Sequence, residues 1–267
     1  MFLSLFFCLA FIANVKVGRC QPNSIFLLAG QSNMSGRGGN HNDTNNIVGW
    51  DGQIPPECAS NTNILRLNAN KTWVLAHEPL HQDIDYLKTC GIGPGLPFAN
   101  EILSKVPTFG SIGLVPCAIG GTRIVQWDRG TVLYNQLVDR ANAALDGGGK
   151  IRALLWFQGE SDTSDYDSNL YKGRLETFIN NLRQDLNISN LPVIMVAICS
   201  ADQGPFMNRI RSIQLNYPFN DTYVKTVDAM GSTFLADQKH LDTKSQIRVG
   251  QKLAAAFLSS FDGLHPH

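Results

Sequence analysis

The residues of this chain best suited to chemistry stand near its two ends. In the run SIFLLAGQSNM, residues 24–34, an apolar stretch ends at Ala29 and delivers Gly30, Gln31, Ser32 and Asn33. A hydroxyl at the end of a buried strand, beside glycine and amide groups, is exposed at the rim of a sheet on rigid backbone. Serine alone is a poor nucleophile and needs a base. In ADQKHLD, residues 236–242, Asp237 and His240 stand three apart. An imidazole at His240 has the proton affinity to take the serine proton. Asp237 is placed to accept the other ring N–H, fix the tautomer and stabilise the imidazolium. Serine, then aspartate, then histidine is a hydrolase order.

Attack on an ester carbonyl also requires donors for the tetrahedral oxyanion. The candidates are the backbone N–H of Ser32, an N–H of the Gly120/Gly121 turn in AIGGT, and the side-chain amide of Gln158 in WFQGESD. Glycine permits close approach, and glutamine donates without carrying charge. Gln31 and Arg123 are read as pocket or supporting residues. Glu160 is read as a structural brace, because a carboxylate in this pocket opposes the developing charge. Each residue has a plainer alternative: Ser32 a turn residue, the glycines a strand exit, Gln158 a buried network member, Asp237 and His240 a loop cap pair. Asp242 lies beyond the histidine and reads as the cap of the last helix.

Other motifs carry less. His77 and His81 in AHEPLHQDID have the spacing of a metal pair, yet no third ligand or HExxH pattern accompanies them, so no metal is expected and both read as surface or pocket-edge residues. His265 and His267 belong to the C-terminal tail. GIGPG at 91–95 and GGGK at 147–150 lack the spacing of nucleotide-binding loops. The absence of a GxSxG elbow argues against an α/β-hydrolase fold.

The elements that must position these groups follow a repeating pattern. Strands are predicted at 24–29, 111–117, 151–157, 192–198 and 223–228, each a continuous apolar run of the kind covered on both faces. Helices are predicted at 97–105, 131–145, 168–186, 204–215 and about 244–260, the last opened by a Thr243/Gln246 capping pair. Such alternation implies right-handed crossovers and a parallel sheet between helical layers, with ligands outside the carboxyl ends of the strands. Ser32, Gly120, Gly121, Gln158 and the Asp237/His240 pair all fall on that rim. Residues 35–96, rich in Asn, Gly, Pro and Asp, break the alternation and read as an excursion over the active-site edge, with short strand-like pieces near 64–67 and 72–75.

Composition bounds these readings. With 267 residues, 43% hydrophobic and 16% charged, the chain can bury a sizeable core in one domain. Basic and acidic residues number 22 each, so no net field draws in nucleic acid or an anionic membrane, and a neutral substrate fits better. Residues 2–13 form an apolar run too short to span a bilayer comfortably, and residues 1–20 read as a secretory leader preceding a domain at 21–267. Export without stable membrane attachment is the expectation. Five Asn-X-Ser/Thr triplets begin at Asn33, Asn42, Asn70, Asn187 and Asn220, and all but Asn33, which abuts the nucleophile, are candidate glycosylation sites. Loss of the leader leaves Cys58, Cys90, Cys117 and Cys199. Cys58 and Cys90 lie in polar loop sequence, so a Cys58–Cys90 disulfide is expected, the alternative being four buried thiols behaving as small apolar groups.

Taken in order, GQSNM, AIGGT, WFQGESD and DQKH resemble the blocks of the SGNH (GDSL-type) hydrolase superfamily. They are especially similar to its sialate O-acetylesterase-like branch, carbohydrate esterase family 6, including secreted plant members. The resemblance spans roughly residues 24–260. It implies a flavodoxin-like three-layer α/β/α sandwich and hydrolysis of O-acetyl esters on carbohydrate without metal or organic cofactor; a monomer is the separate expectation. In family terms Ser32 is the nucleophile, Asp237 and His240 its partners, and Ser32, Gly121 and Gln158 the oxyanion donors. Gln31 stands where the wider superfamily has Asp, and Gln158 where Asn is usual. A lipid or small-ester hydrolase on the same fold, or a catalytically weak glycan-binding protein, are the competing readings.

Overall fold

The computed structural model describes residues 21–42, 48–201, 204–217 and 221–260. The expected leader, the Asn220 triplet, His265 and His267 lie outside the described residues. Strand β1 (Ser24–Gly30) is buried along its whole length at the centre of a seven-stranded sheet. Flanking it are β6 (Ile112–Pro116) and β7 (Lys150–Phe157), then β8 (Val193–Ala197) and β9 (Val224–Asp228) beyond β7. Beyond β6 lie β4 (Ile64–Leu67) and, at the edge, β5 (Trp73–Leu75), while β2 (Asn40–Asn42) and β3 (Val48–Trp50) form a separate antiparallel pair. The strands of the seven-stranded sheet all pair in parallel except β5, which runs antiparallel to β4.

Helices cover both faces, which is why the strands need no polar side. On one face α2 (Gly95–Lys105) packs against α6 (Thr243–Ser260); on the other lie α3 (Val132–Leu145), α4 (Asp165–Asp185) and α5 (Pro205–Asn216). Phe26 of β1 meets Phe98 of α2 at 4.8 Å and Phe257 of α6 at 5.0 Å between ring centres. On the opposite face Trp156 of β7 sits 4.5 Å from Phe178 of α4 and 5.3 Å from Trp127. Ring contacts of this kind add about 0.5–1.5 kcal/mol each to the burial of large apolar areas.

Sequence and structure part in three places that bear on the site. The 35–96 excursion does not simply lie over the rim: Ile64–Leu67 enters the main sheet beside β6. Ser164 accepts the Asp167 N–H at 3.0 Å, so α4 starts three residues before the apolar periodicity does. For α6 the cap is Asp242, whose Oδ1 accepts from Ser245 N–H at 2.8 Å, while the side chain of Gln246 is buried without a partner among the described residues. The Thr243/Gln246 capping pair is therefore corrected to an Asp242 cap.

The Cys58–Cys90 disulfide is also corrected. Cys58, Cys90, Cys117 and Cys199 are all free and buried. Loop composition misled here, because Cys58 sits on a short helical turn (Pro56–Cys58) packed on α2, and Cys90 is buried beside Arg37. Burial pushes the thiols of Cys90, Cys117 and Cys199 up to about 11, so they behave as small apolar groups.

Candidate active site

Sharp turning at the end of β1 sets up the site. Gly30 has φ +131°, and a Cβ there would lie 2.1 Å from the Phe157 carbonyl oxygen, so only glycine fits between β1 and β7. Gln31 N–H then donates to Phe157 O at 2.9 Å, and the chain enters the single turn α1 (Ser32–Ser35). Ser32 stands first in that turn, where a backbone N–H has no intrahelical acceptor.

His240 arrives from the loop after β9. Its Nε2 lies 2.8 Å from Ser32 Oγ, and its Nδ1 lies 2.5 Å from Asp237 Oδ2. The loop holds this geometry itself, since Asp237 Oδ1 accepts the backbone N–H of Lys239 at 2.9 Å and of His240 at 3.0 Å. Partial burial pushes the Asp237 carboxyl up, but these backbone donors and the imidazole outweigh it and hold the group below the usual carboxylate range. The three residues thus make a relay in which a serine proton can pass to the imidazole beside a fixed negative charge.

A buried side chain ties the loop to the Ser32 turn. Asn33, 1% exposed, accepts from Leu241 N–H at 3.0 Å and donates to Glu160 Oε1 at 2.8 Å. An attached glycan has no room at such a position. Glu160 lines the cleft, and burial raises its carboxyl to about 7 against the lowering effect of Asn33. Of the other triplets, Asn42, Asn70 and Asn187 are exposed.

Gln158 is the main correction at the site. Its carboxamide is fully buried and its Nε2 donates to Thr122 O at 2.9 Å and Asp162 Oδ2 at 2.5 Å, with Gln31 Oε1 at 3.3 Å. Both amide hydrogens therefore face protein acceptors, and none is left for an oxyanion. Among the described residues no acceptor takes the N–H groups of Ser32 and Gly121, whereas Gly120 N–H is held by Asp85 Oδ2 at 3.1 Å. Arg123 reaches out to Asp167 at 3.4 Å instead of lining the cleft.

The cleft has a volume of about 720 Å³. Ser32 and His240 line it together with hydroxyl-bearing Ser161 and Thr163 and apolar Phe206 and Met207. Sequence reasoning missed Arg37, which lines the cleft, and Asp85, which is buried against it. Arg37 is close to Ser32 in NMSGRGG, but nothing in HQDID announces where Asp85 goes. His81, expected near the surface, is 1% exposed, and burial lowers its imidazole to about 3. His77 is exposed.

A parallel sheet between helical layers, with a serine, a histidine and an aspartate converging on its carboxyl rim, is the framework of a carboxylic ester hydrolase. The chain belongs to the carbohydrate esterase, sialic acid-specific acetylesterase family, whose model matches residues 22–259. It is accordingly an acetyl-removing carbohydrate esterase. An Arabidopsis thaliana protein described as a probable carbohydrate esterase is 48% identical over 243 residues, covering 90% of this chain and 92% of that one. The X-ray structure of that Arabidopsis protein superposes with a TM-score of 0.86, covering 90% of this chain and 99% of the other. The structure of NanS superposes with a TM-score of 0.70 at 18% identity, covering 91% and 99%, a likeness of fold.

Proposed function

We propose that this protein is a secreted serine esterase that removes O-acetyl groups from plant-type cell-wall polysaccharide through an acyl-enzyme. The observation that carries the reading is the 2.8 Å approach of His240 Nε2 to Ser32 Oγ, backed by Asp237. In the first half-reaction His240 takes the serine proton as Ser32 Oγ attacks the acetyl carbonyl. The oxyanion is met by the N–H groups of Ser32 and Gly121. Collapse breaks the ester C–O bond, and the imidazolium returns its proton to the departing sugar oxygen. Water, activated by the same imidazole, then attacks the acetyl-serine and releases acetate.

A cleft lined by both hydroxyl-bearing Ser161 and Thr163 and apolar Phe206 and Met207 suits a sugar, whose hydroxyl edge and apolar ring face need different kinds of wall. The 48% identical relative comes from a plant, which favours a plant polysaccharide over other acetylated glycans. Export, occupied glycosylation sites at Asn42, Asn70, Asn187 and Asn220, and a monomeric state belong to the same proposal. Among the described residues no helix is long and apolar enough to cross a membrane.

The test is acetate release from acetylated xylan, pectin, mannan and sialic acid, with Ser32→Ala as control. Release from a cell-wall polymer, lost by about 10³-fold or more in Ser32→Ala, is expected because triad members act as a unit. Retained activity in Ser32→Ala refutes the serine mechanism, and release from sialic acid alone refutes the polysaccharide.

A further inference from the structure

Asp85, 2% exposed, lies on the excursion between β5 and α2 and is bonded to the cleft-lining residues Arg37 and Gly120. One of its oxygens, Oδ2, collects three donors from different parts of the chain. Ser35 Oγ–H in α1 donates at 2.9 Å, Arg37 Nη2 at 2.6 Å, and the backbone N–H of Gly120 at 3.1 Å. The nucleophile turn and the Gly120/Gly121 turn are thereby anchored to the same atom. Their fit is tight: a Cβ on Gly120 would meet Arg37 Nη2 at 2.5 Å, Asp85 Oδ2 at 3.1 Å and Ser32 Cβ at 3.5 Å.

From this geometry we propose that Asp85 is a positioning residue for ester hydrolysis, holding the Gly120/Gly121 turn at a set distance from Ser32 so that the oxyanion donors are in place before substrate arrives. By taking the Gly120 N–H, it fixes the peptide that precedes Gly121 and leaves the Gly121 N–H as the unpaired donor of the turn. A bare carboxylate here would oppose a developing oxyanion. Arg37 removes that objection, because both side chains are almost wholly buried and their charges cancel at contact distance. The guanidinium also donates through Nη1 to Ser35 Oγ at 2.8 Å and Gly36 O at 2.7 Å, so Ser35 accepts from one partner of the ion pair and donates to the other. Preorganised donors contribute because they need no rearrangement during reaction, and a small misplacement removes much of that gain.

This proposal rests on the serine reading, and the experiment separates the two. Aryl acetate kinetics, expressed per folded molecule, are measured for the parent, Ser32→Ala, Asp85→Asn, Ser35→Ala and the Asp85→Asn/Ser35→Ala double variant. Asp85→Asn is expected to lower kcat about 10- to 100-fold with KM within about threefold, because loosened oxyanion donors act in the transition state alone. Ser35→Ala should lower kcat about two- to fivefold at nearly unchanged Tm, and the double variant should be no slower than Asp85→Asn, since both changes break one network. An unchanged kcat in Asp85→Asn, or a loss confined to KM, overturns the proposal while an inactive Ser32→Ala leaves the serine mechanism standing. Should Asp85→Asn fail to fold, Ser35→Ala decides alone, and a parental kcat there overturns it. Activity retained by Ser32→Ala removes the serine mechanism and this role with it.

Discussion

Replacing Asn33 by alanine tests whether the histidine loop is held by the residue next to Ser32. The change removes the acceptor of Leu241 N–H at 3.0 Å, a buried bond, and the donor to Glu160 Oε1 at 2.8 Å, a part-buried one. Glu160 is already short of partners, since its Oε2 is buried with none among the described residues. Leaving a buried polar group unpaired costs about 1–3 kcal/mol, so the two together cost roughly 2–5 kcal/mol after some relief by protonation of Glu160. For a domain of this size that corresponds to a fall of about 5–12 °C in Tm. Because the Asn33 hydrogen bond holds the Glu160 carboxyl down from an even higher position, the loss should be larger at pH 8 than at pH 5.5. His240 sits between Lys239 and Leu241, so kcat on an aryl acetate should also fall about tenfold or more as the imbalance in loop position draws the imidazole from Ser32. Thermal unfolding at both pH values, with kinetics on the same samples, reads all three effects. A Tm shift under about 2 °C at both pH values with parental kcat would refute the reasoning.

Gln158→Ala should lower Tm by several degrees while kcat stays within about tenfold, because its amide braces Thr122 and Asp162; a 10²–10³-fold loss of kcat at parental Tm would restore it as an oxyanion donor. Glu160, raised to about 7 from an ordinary 4.5, binds its proton more tightly when folded, so its contribution to stability grows as pH falls through 7 and is lost above it. Glu160→Gln should accordingly show a smaller Tm gain than the parent between pH 8 and pH 6, and identical pH slopes would contradict the assignment. Glu78, pushed up to about 8 by burial, acts in the same direction in both proteins, which is why the difference between them is the quantity to read. Four thiols should react in the unfolded, unreduced protein lacking residues 1–20, and two would mean that a disulfide has formed. Gly30→Ala should abolish soluble folded protein, because its Cβ has no space beside Phe157 O; a well-folded variant would show that β1 and β7 can part at that point.

Where a signal was local, the sequence was enough. Uninterrupted apolar runs such as SIFLLA and IRALLWF can be satisfied only when both faces of a strand are covered, which already implies helices on either side and a catalytic rim at the strand ends. Ser32, Asp237 and His240 were legible because a hydroxyl at a strand end and an acid three residues before a histidine have few other purposes in combination. The blocks GQSNM, AIGGT, WFQGESD and DQKH pointed to the same superfamily that the family match supports. Only the fold could decide how side-chain bonds are shared out. Gln158 stands at the right point in the chain for an oxyanion donor, yet Thr122 and Asp162 claim its amide. Cys58 and Cys90 occupy loop-like sequence, yet packing on α2 and against Arg37 buries them singly. Asp85 reaches Ser35, Arg37 and Gly120 across separations of up to fifty positions, and no periodicity or spacing records such an encounter. Strand and helix patterns are written in neighbours, whereas the partner of a buried polar atom is chosen by whatever tertiary packing brings within hydrogen-bond distance.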